Sequence, residues 1–236
     1  MTSDPVVLIR DTGAVRVLTF NRPERLNAFD DSLYNAMADA LEAVERDDDL
    51  RVVVVTGKGR AFSAGADRAP SEPISRRSFE RFLTALSITK PMIAAVNGVA
   101  VGIGMTMLPH FDLVLVDAAA KLRPPFTALG VAPEASSSHL FAAAIGPQQA
   151  ARYLYTSEWM SAQDAVVFGL ALSMSAEGEV VDDAIALASR IAKFPLASLQ
   201  ATRKTLLAAR SEAVRAAHAA EQEVWKTLRL PAFQKK

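Results

Sequence analysis

The chain has 236 residues, no cysteine, and 26 basic side chains against 26 acidic ones. That balance gives no whole-molecule field to draw it to nucleic acid or to an acidic membrane. The absence of cysteine excludes disulfides, thiolate metal sites and a cysteine nucleophile, and suits a reducing, cytoplasmic interior. The length fits one domain, read here as a core over residues 1–190 with a helical region at 191–236. No basic region followed by a long apolar run opens the chain, so no signal peptide is expected.

Val6 to Ile9 and Val15 to Phe20 read as a pair of strands around the turn Asp11-Thr12-Gly13. Asp30, Asp31 or Ser32 can cap a helix whose apolar positions Leu33, Met37, Leu41 and Val44 share one face, and Asp47-Asp48-Asp49 ends it. Arg51 to Thr56 is a valine run, the pattern of a strand buried on both faces. The polar stretch Ser71 to Ser75 reads as a mobile loop before a helix that turns Phe79, Phe82, Leu83 and Leu86 inward. Pro91 to Val96 and Phe111 to Val116 are further buried strands. Pro91 to Pro109 carries no charge, but its Asn97, Gly98, Gly102 and Gly104 suit a strand, a loop and a helix start better than a membrane span. Ser161 to Asp164 has capping-box spacing, and Val180 to Leu230 reads as helices broken at Pro195 and near Arg210. These helices are expected to pack on the core or on a neighbouring subunit.

The chemistry lies in two glycine-containing stretches, Phe62-Ser63-Ala64-Gly65-Ala66-Asp67 and Asn97 to Gly104, each after a strand-like run and each leading towards a helix. Each can aim a backbone N–H at one shared oxygen, the device that stabilises charge developing on a carbonyl. Small residues at Ala64, Gly65 and Ala66 let the main chain approach a ligand closely.

Together with Asn21-Arg22-Pro23-Glu24-Arg25-Leu26-Asn27-Ala28, Ala94-Ala95-Val96-Asn97-Gly98 and Ser161-Ala162-Gln163-Asp164-Ala165, these stretches resemble the enoyl-CoA hydratase/isomerase, or crotonase, superfamily from about Arg16 to Lys204. The resemblance implies an α/β crotonase-like (ClpP/crotonase) fold of repeated strand-strand-helix turns and a C-terminal helical region used in trimer assembly, commonly as a hexamer of two trimers. It implies an acyl-CoA thioester as substrate and no metal or redox cofactor. Matched residue by residue, the oxyanion-hole N–H groups fall on Ala66 and Ile103, and Ser63, Ala64, Gly65, Asp67 and Gly102 fall where the family's chain meets the ligand. Asp67 can position the preceding turn rather than exchange protons; Arg25 and Lys58 can meet CoA phosphates, although such residues are more often plain solvated charges.

The acid and base separate the reactions of that superfamily. The two glutamates of its hydratases match Thr106 and Phe126, neither of which can activate water near neutral pH. Leu129-Gly130-Val131-Ala132-Pro133-Glu134 and the small residues after it resemble instead the Δ3,Δ2-enoyl-CoA isomerase branch, whose lone catalytic glutamate matches Glu134. The resemblance thus implies a single base moving a proton from C2 to C4 of a bound dienolate, in fatty-acid β-oxidation. Ile103, Phe126, Leu129 and Phe141 are expected to exclude water and to raise the pKa of Glu134. His110 and His139 read as structural. Alternatives stay open: a hydratase-like enzyme, a thioesterase or dehalogenase acting on an acyl-CoA, or a catalytically silent acyl-CoA binder.

Overall fold

The computed structural model describes residues 4–67 and 74–228. An antiparallel hairpin comes first, β1 (Val7–Thr12) and β2 (Val15–Phe20), closing at Thr12 and Val15 around Gly13. Helix α1 (Asp31–Arg46) starts at Asp30, whose carboxylate accepts the Leu33 N–H at 2.9 Å, and stops at Asp47. Its buried face holds Leu33, Met37, Leu41 and Val44, as their spacing predicts.

Three strand-strand-helix repeats follow. β3 (Val52–Gly57) and β4 (Ala61–Ser63) lead to α2 (Arg76–Ala85); β5 (Met92–Val96) and β6 (Val99–Val101) lead to α3 (Ile103–Thr106). β7 (Leu113–Asp117) and β8 (Lys121–Arg123) lead to α4 (Ser137–Ile145) and α5 (Pro147–Thr156). The chain continues through β9 (Met160–Ser161), α6 (Ala162–Phe168), β10 (Ser173–Ser175), α7 (Val180–Ile191) and α8 (Leu196–Thr227). In each repeat the first strand joins a six-stranded sheet ordered β1-β2-β3-β5-β7-β10, and the second joins a four-stranded sheet ordered β4-β6-β8-β9. Neighbouring repeats pair in parallel, so corresponding corners stack above one another. Asn97 ties two such corners: its Oδ1 accepts the Gly57 N–H at 3.0 Å and its Nδ2 donates to the Gly59 carbonyl at 2.9 Å.

Alternation along β3 explains the valine run. Val53 and Val55 face the main core with Ala94, Val96, Val114 and Val116, while Val52 and Val54 face a second core with Ile93, Ala95 and Ala184 and Ala188 of α7. Both faces are apolar because both are covered. The Pro91 to Pro109 segment resolves into β5, β6, α3 and a 3-10 turn, and among the described residues no helix is long and apolar enough to cross a membrane. The capping box at Ser161 is present, with Ser161 Oγ accepting the Asp164 N–H at 3.0 Å.

One expectation needs correction. The break near Arg210 does not occur: α8 runs unbroken for 32 residues, and Arg210 Nη1 instead donates to the Pro109 carbonyl at 2.7 Å. Arginine is a good helix former, so a charge in an alanine-rich stretch is an anchor rather than a stop. The small residues after Glu134 open a helix, which begins at Ser137. Ser71 to Pro73 of the polar loop lie outside the described residues, as does the chain beyond Leu228.

Candidate active site

The two glycine stretches meet through their backbones. A Cβ built on Gly65 would lie 2.8 Å from the Val101 carbonyl oxygen and 3.7 Å from Gly102 Cα, so this contact needs glycine, and φ of +93° at Gly65 requires it independently. Ala66 and Ile103, the next residue in each stretch, are therefore neighbours. Phe29 bridges Ala66 in parallel: its N–H donates to the Gly65 carbonyl at 2.7 Å and its carbonyl accepts the Asp67 N–H at 2.8 Å. In such a bridge the N–H of the intervening residue points to the opposite side, so Ala66 turns its N–H away from Phe29. Ile103 opens α3, where a first-turn N–H has no partner within its own helix. Among the described residues no hydrogen bond takes up either N–H.

Buried polar groups fix this corner. Ser63 Oγ donates to the Asn27 carbonyl at 2.8 Å and accepts the Gly65 N–H at 3.2 Å. Asn27, in a left-handed conformation at φ +55°, donates through Nδ2 to the Ala61 and Lys58 carbonyls. The Ala64 N–H reaches the Leu26 carbonyl at 2.9 Å, and Arg22 pairs with Asp67 at 3.0 Å and with Asp30 at 2.9 Å. The Asn21 to Ala28 stretch thus serves as the backing of the first glycine stretch, and Asp67 is part of an ion pair that holds it.

Glu134 opens onto the same cavity as Ala66, a space of about 370 Å³ whose apolar walls include Tyr34 of α1, Ile74 and Phe79 before and within α2, and Trp225 of α8. Among the described residues no hydrogen bond or ion pair engages the Glu134 carboxylate. Burial in these walls, and then the charge of Glu221, push its pKa up from 4.5 to about 7. The phenol of Tyr34 is also raised, by burial first and then by Glu134 and Asp31, so it stays neutral beside the carboxylate. A carboxylate poised near neutrality, without a hydrogen-bond partner among the described residues and on the same cavity as Ala66, is equipped to take and return a proton while charge gathers on a carbonyl oxygen.

The turn after Glu134 is strained. Ala135 and Ser136 both adopt φ of +58°, a conformation that non-glycine residues rarely hold and that costs roughly 1–3 kcal/mol each. His110 Nε2 meets the Ala135 carbonyl at 2.8 Å, and Glu221 on α8 accepts the N–H groups of Ser136 at 2.7 Å and Ser138 at 2.9 Å. Reading His110 as structural fits its burial, but its partner sits beside the candidate base.

Thr106 is fully buried and its hydroxyl bonds to the Gly102 carbonyl at 3.1 Å, so it contributes to the helix rather than to the cavity. Phe126 and Leu129 border a 3-10 turn and are not among the residues lining this cavity, and neither are Phe141 and Ile103, which pack in the core. The walls that shield Glu134 come instead from α1, α2 and α8. Arg25 and Lys58 are exposed. Among the described residues no group of three or more His, Asp or Glu side chains is arranged to hold a metal ion. Sequence reasoning missed Tyr34, Glu80 and the α8 residues His218, Glu221, Gln222 and Trp225, all on the cavity. The spacing of the last four, one face of a helix, was the available signal.

Comparison with known proteins gives the family and the fold. The profile of the enoyl-CoA hydratase/isomerase family matches residues 10–232. A probable enoyl-CoA hydratase of Mycobacterium tuberculosis is 36% identical over 88% of this chain and 80% of its own length. The 1,2-epoxyphenylacetyl-CoA isomerase of Escherichia coli is 35% identical over 77% of this chain and 74% of its own. Among solved structures, an enoyl-CoA hydratase/isomerase from Pseudoalteromonas atlantica superposes with a TM-score of 0.91 at 33% identity, over 96% of this chain and 92% of that one.

Proposed function

This chain belongs to the enoyl-CoA hydratase/isomerase family and has its crotonase-type α/β fold, and within that family we propose that it is a Δ3,Δ2-enoyl-CoA isomerase. Relatives carry both hydratase and isomerase names, so the choice rests on the residues of the site. The observation that carries the reading is one free, pKa-raised carboxylate, Glu134, on the cavity wall with Ala66, while the positions of both hydratase glutamates hold a buried threonine and a phenylalanine.

In the reaction, the thioester oxygen of a 3-enoyl-CoA sits between the N–H groups of Ala66 and Ile103. Glu134 takes a proton from C2; the electron pair left behind delocalises onto that oxygen and along the C3–C4 double bond. The same carboxyl group returns the proton to C4, which leaves the double bond between C2 and C3. No water enters the balance, and one base serves both carbons from one face. Positioned acid–base help contributes roughly a hundred- to ten-thousand-fold, and each oxyanion donor a further 3 to 4 kcal/mol or so. Substrate CoA, no added cofactor and a role in fatty-acid oxidation belong to the same proposal.

The test supplies 3-enoyl-CoA and 2-enoyl-CoA separately to the wild type and to Glu134→Gln. The expected result is isomerisation of the first, little hydration of the second, and loss of most turnover in the variant with CoA affinity kept. Hydration of the 2-enoyl ester at a comparable rate overturns the assignment; a wild type that binds CoA esters without turnover points to a silent binder.

A further inference from the structure

Helix α8 grips the segment that carries Glu134 on both sides of the glutamate. On the near side Trp225 Nε1 donates to the Pro133 carbonyl at 3.1 Å. On the far side Glu221 Oε2 accepts the Ser136 N–H at 2.7 Å, and its Oε1 accepts the Ser138 N–H at 2.9 Å and the Ser138 hydroxyl at 2.6 Å. The Ser136 hydroxyl completes the grip by donating to the Val214 carbonyl at 3.2 Å. The residues so held, Ala135 and Ser136, are the two in the left-handed conformation, and Glu221 is buried at 6% exposure.

We propose that Glu221 is a positioning residue for Glu134: from α8 its carboxylate closes the left-handed Ala135-Ser136 turn and so fixes the direction in which the Glu134 side chain enters the cavity. The inference rests on the reading of Glu134 as the base. Two acceptor oxygens are required, because the donors arrive on both: an amide in this place turns its NH2 towards one of the serine N–H groups and breaks that side of the clamp. Without the clamp, consecutive left-handed residues other than glycine relax towards ordinary backbone, and the side chain of the adjoining Glu134 swings with them. Alignment of this kind is sensitive, since a shift of about 1 Å at a reacting group costs on the order of a hundredfold in rate.

Glu221 also stands as a second negative charge beside Glu134, and this adds to burial in disfavouring the ionised base. The other charged or titratable groups facing the site are Tyr34 from α1, Arg76 and Glu80 from α2, and His218 and Lys226 from α8. His110 touches Ala135 and is itself held by Arg203 and Arg210 of α8, which donate to its carbonyl. All of these are unchanged when Glu221 alone is altered, so a difference between variants reports Glu221.

The experiment compares wild type, Glu221→Gln and Ser138→Ala in two readouts: steady-state kinetics on 3-enoyl-CoA against pH, and the titration of Glu134 followed by carboxyl carbon NMR, its signal assigned by Glu134→Gln. In Glu221→Gln, kcat is expected to fall on the order of a hundredfold with KM little changed, and the acidic limb of kcat/KM and the NMR midpoint both move to lower pH. A residue that merely held the fold together would not move that midpoint. Ser138→Ala, at an exposed position that tolerates change, removes one of the three bonds and lowers kcat in the same direction by a smaller factor; it carries the test should Glu221→Gln fail to fold. A kcat within about twofold of wild type in whichever of these variants folds overturns the proposal, since that lies well under the cost of misalignment. Should the wild type turn over no 3-enoyl-CoA, the isomerase reading fails by itself, and the clamp is then judged by the NMR titration: an unmoved Glu134 midpoint overturns it.

Discussion

His110 Nε2 donates a 2.8 Å hydrogen bond to the carbonyl of Ala135, the residue that follows Glu134. A carbonyl only accepts, so that ring nitrogen carries the proton of a neutral imidazole. Burial, with Arg210 and Arg203 close by, depresses the pKa of His110 from 6.5 to about 4. Between those values the unfolded chain binds the extra proton, so this group's contribution to stability is present above pH 6.5 and is lost as pH falls through 4. His110→Phe is expected to cost about 1–3 kcal/mol near pH 7, because the Ala135 carbonyl is left without its donor. The gap from wild type should narrow on acidification. Urea denaturation at several pH values measures it, and a gap independent of pH sinks the claim.

Glu134 has the opposite linkage. Its folded pKa is raised to about 7 from 4.5, by burial first and by Glu221 second, so the folded state binds the extra proton and stability is lost as pH rises through that window. Glu134→Gln is expected to stabilise the protein at pH above 7 by up to about 3 kcal/mol, less whatever the open side of the cavity screens. The gain should vanish below about pH 4.5, where wild-type Glu134 is protonated in both states. Loss of turnover with a gain in stability would mark a group held in place for chemistry. Equal stabilities of the two proteins at high pH count against a desolvated carboxylate.

Gly65→Ala places a Cβ 2.8 Å from the Val101 carbonyl, on a residue whose φ is +93°. The main chain must shift at the contact that sets Ala66 beside Ile103. A fall in kcat on 3-enoyl-CoA of about 10²–10³ is expected, the effect of losing one oxyanion donor. Circular dichroism establishes that the variant is folded, and near-wild-type kcat in a folded variant removes Ala66 from the mechanism.

Thr106→Val deletes the hydroxyl that bonds to the Gly102 carbonyl inside α3. Since that hydroxyl is buried away from the cavity, isomerase kcat should stay within about threefold of wild type, as expected when no proton-transfer group is lost. Activity that collapses in this variant and reappears in Thr106→Glu as hydration would show that the second glycine stretch, not Glu134, carries the acid–base chemistry.

Exposed apolar side chains concentrate between Tyr155 and Met174: Tyr155 is 75% exposed, Val167 65%, Leu172 58% and Trp159 47%. Such a concentration suits cover by another copy of the chain. Sedimentation or light scattering is expected to give a trimer or a hexamer, and Val167→Glu with Leu172→Glu to shift it towards monomer. A wild type that stays monomeric at high micromolar concentration disproves this.

Much of the architecture was readable in the sequence because it depends on short-range regularities. The valine run of β3, the apolar face of α1, the cap at Asp30 and the capping box at Ser161 each follow from period, propensity or one side-chain bond within a few residues. The two glycine stretches and Glu134 were likewise visible, since backbone proximity demands small residues and the pattern around them is local. What the sequence left undetermined was everything carried by contacts between distant segments. That Gly65 lies against Gly102 depends on the stacking of two repeats; that the cavity is closed by Tyr34, Phe79 and Trp225 rather than by Phe126 and Leu129 depends on where α1, α2 and α8 come to rest. Glu221 lies 85 positions from Ser136 in sequence, and within α8 it is one charge among several on a polar helix. Only the fold takes that carboxylate out of water and sets it against the turn after Glu134, because solvent exposure and long-range pairing are properties of the packed chain and not of any window along it.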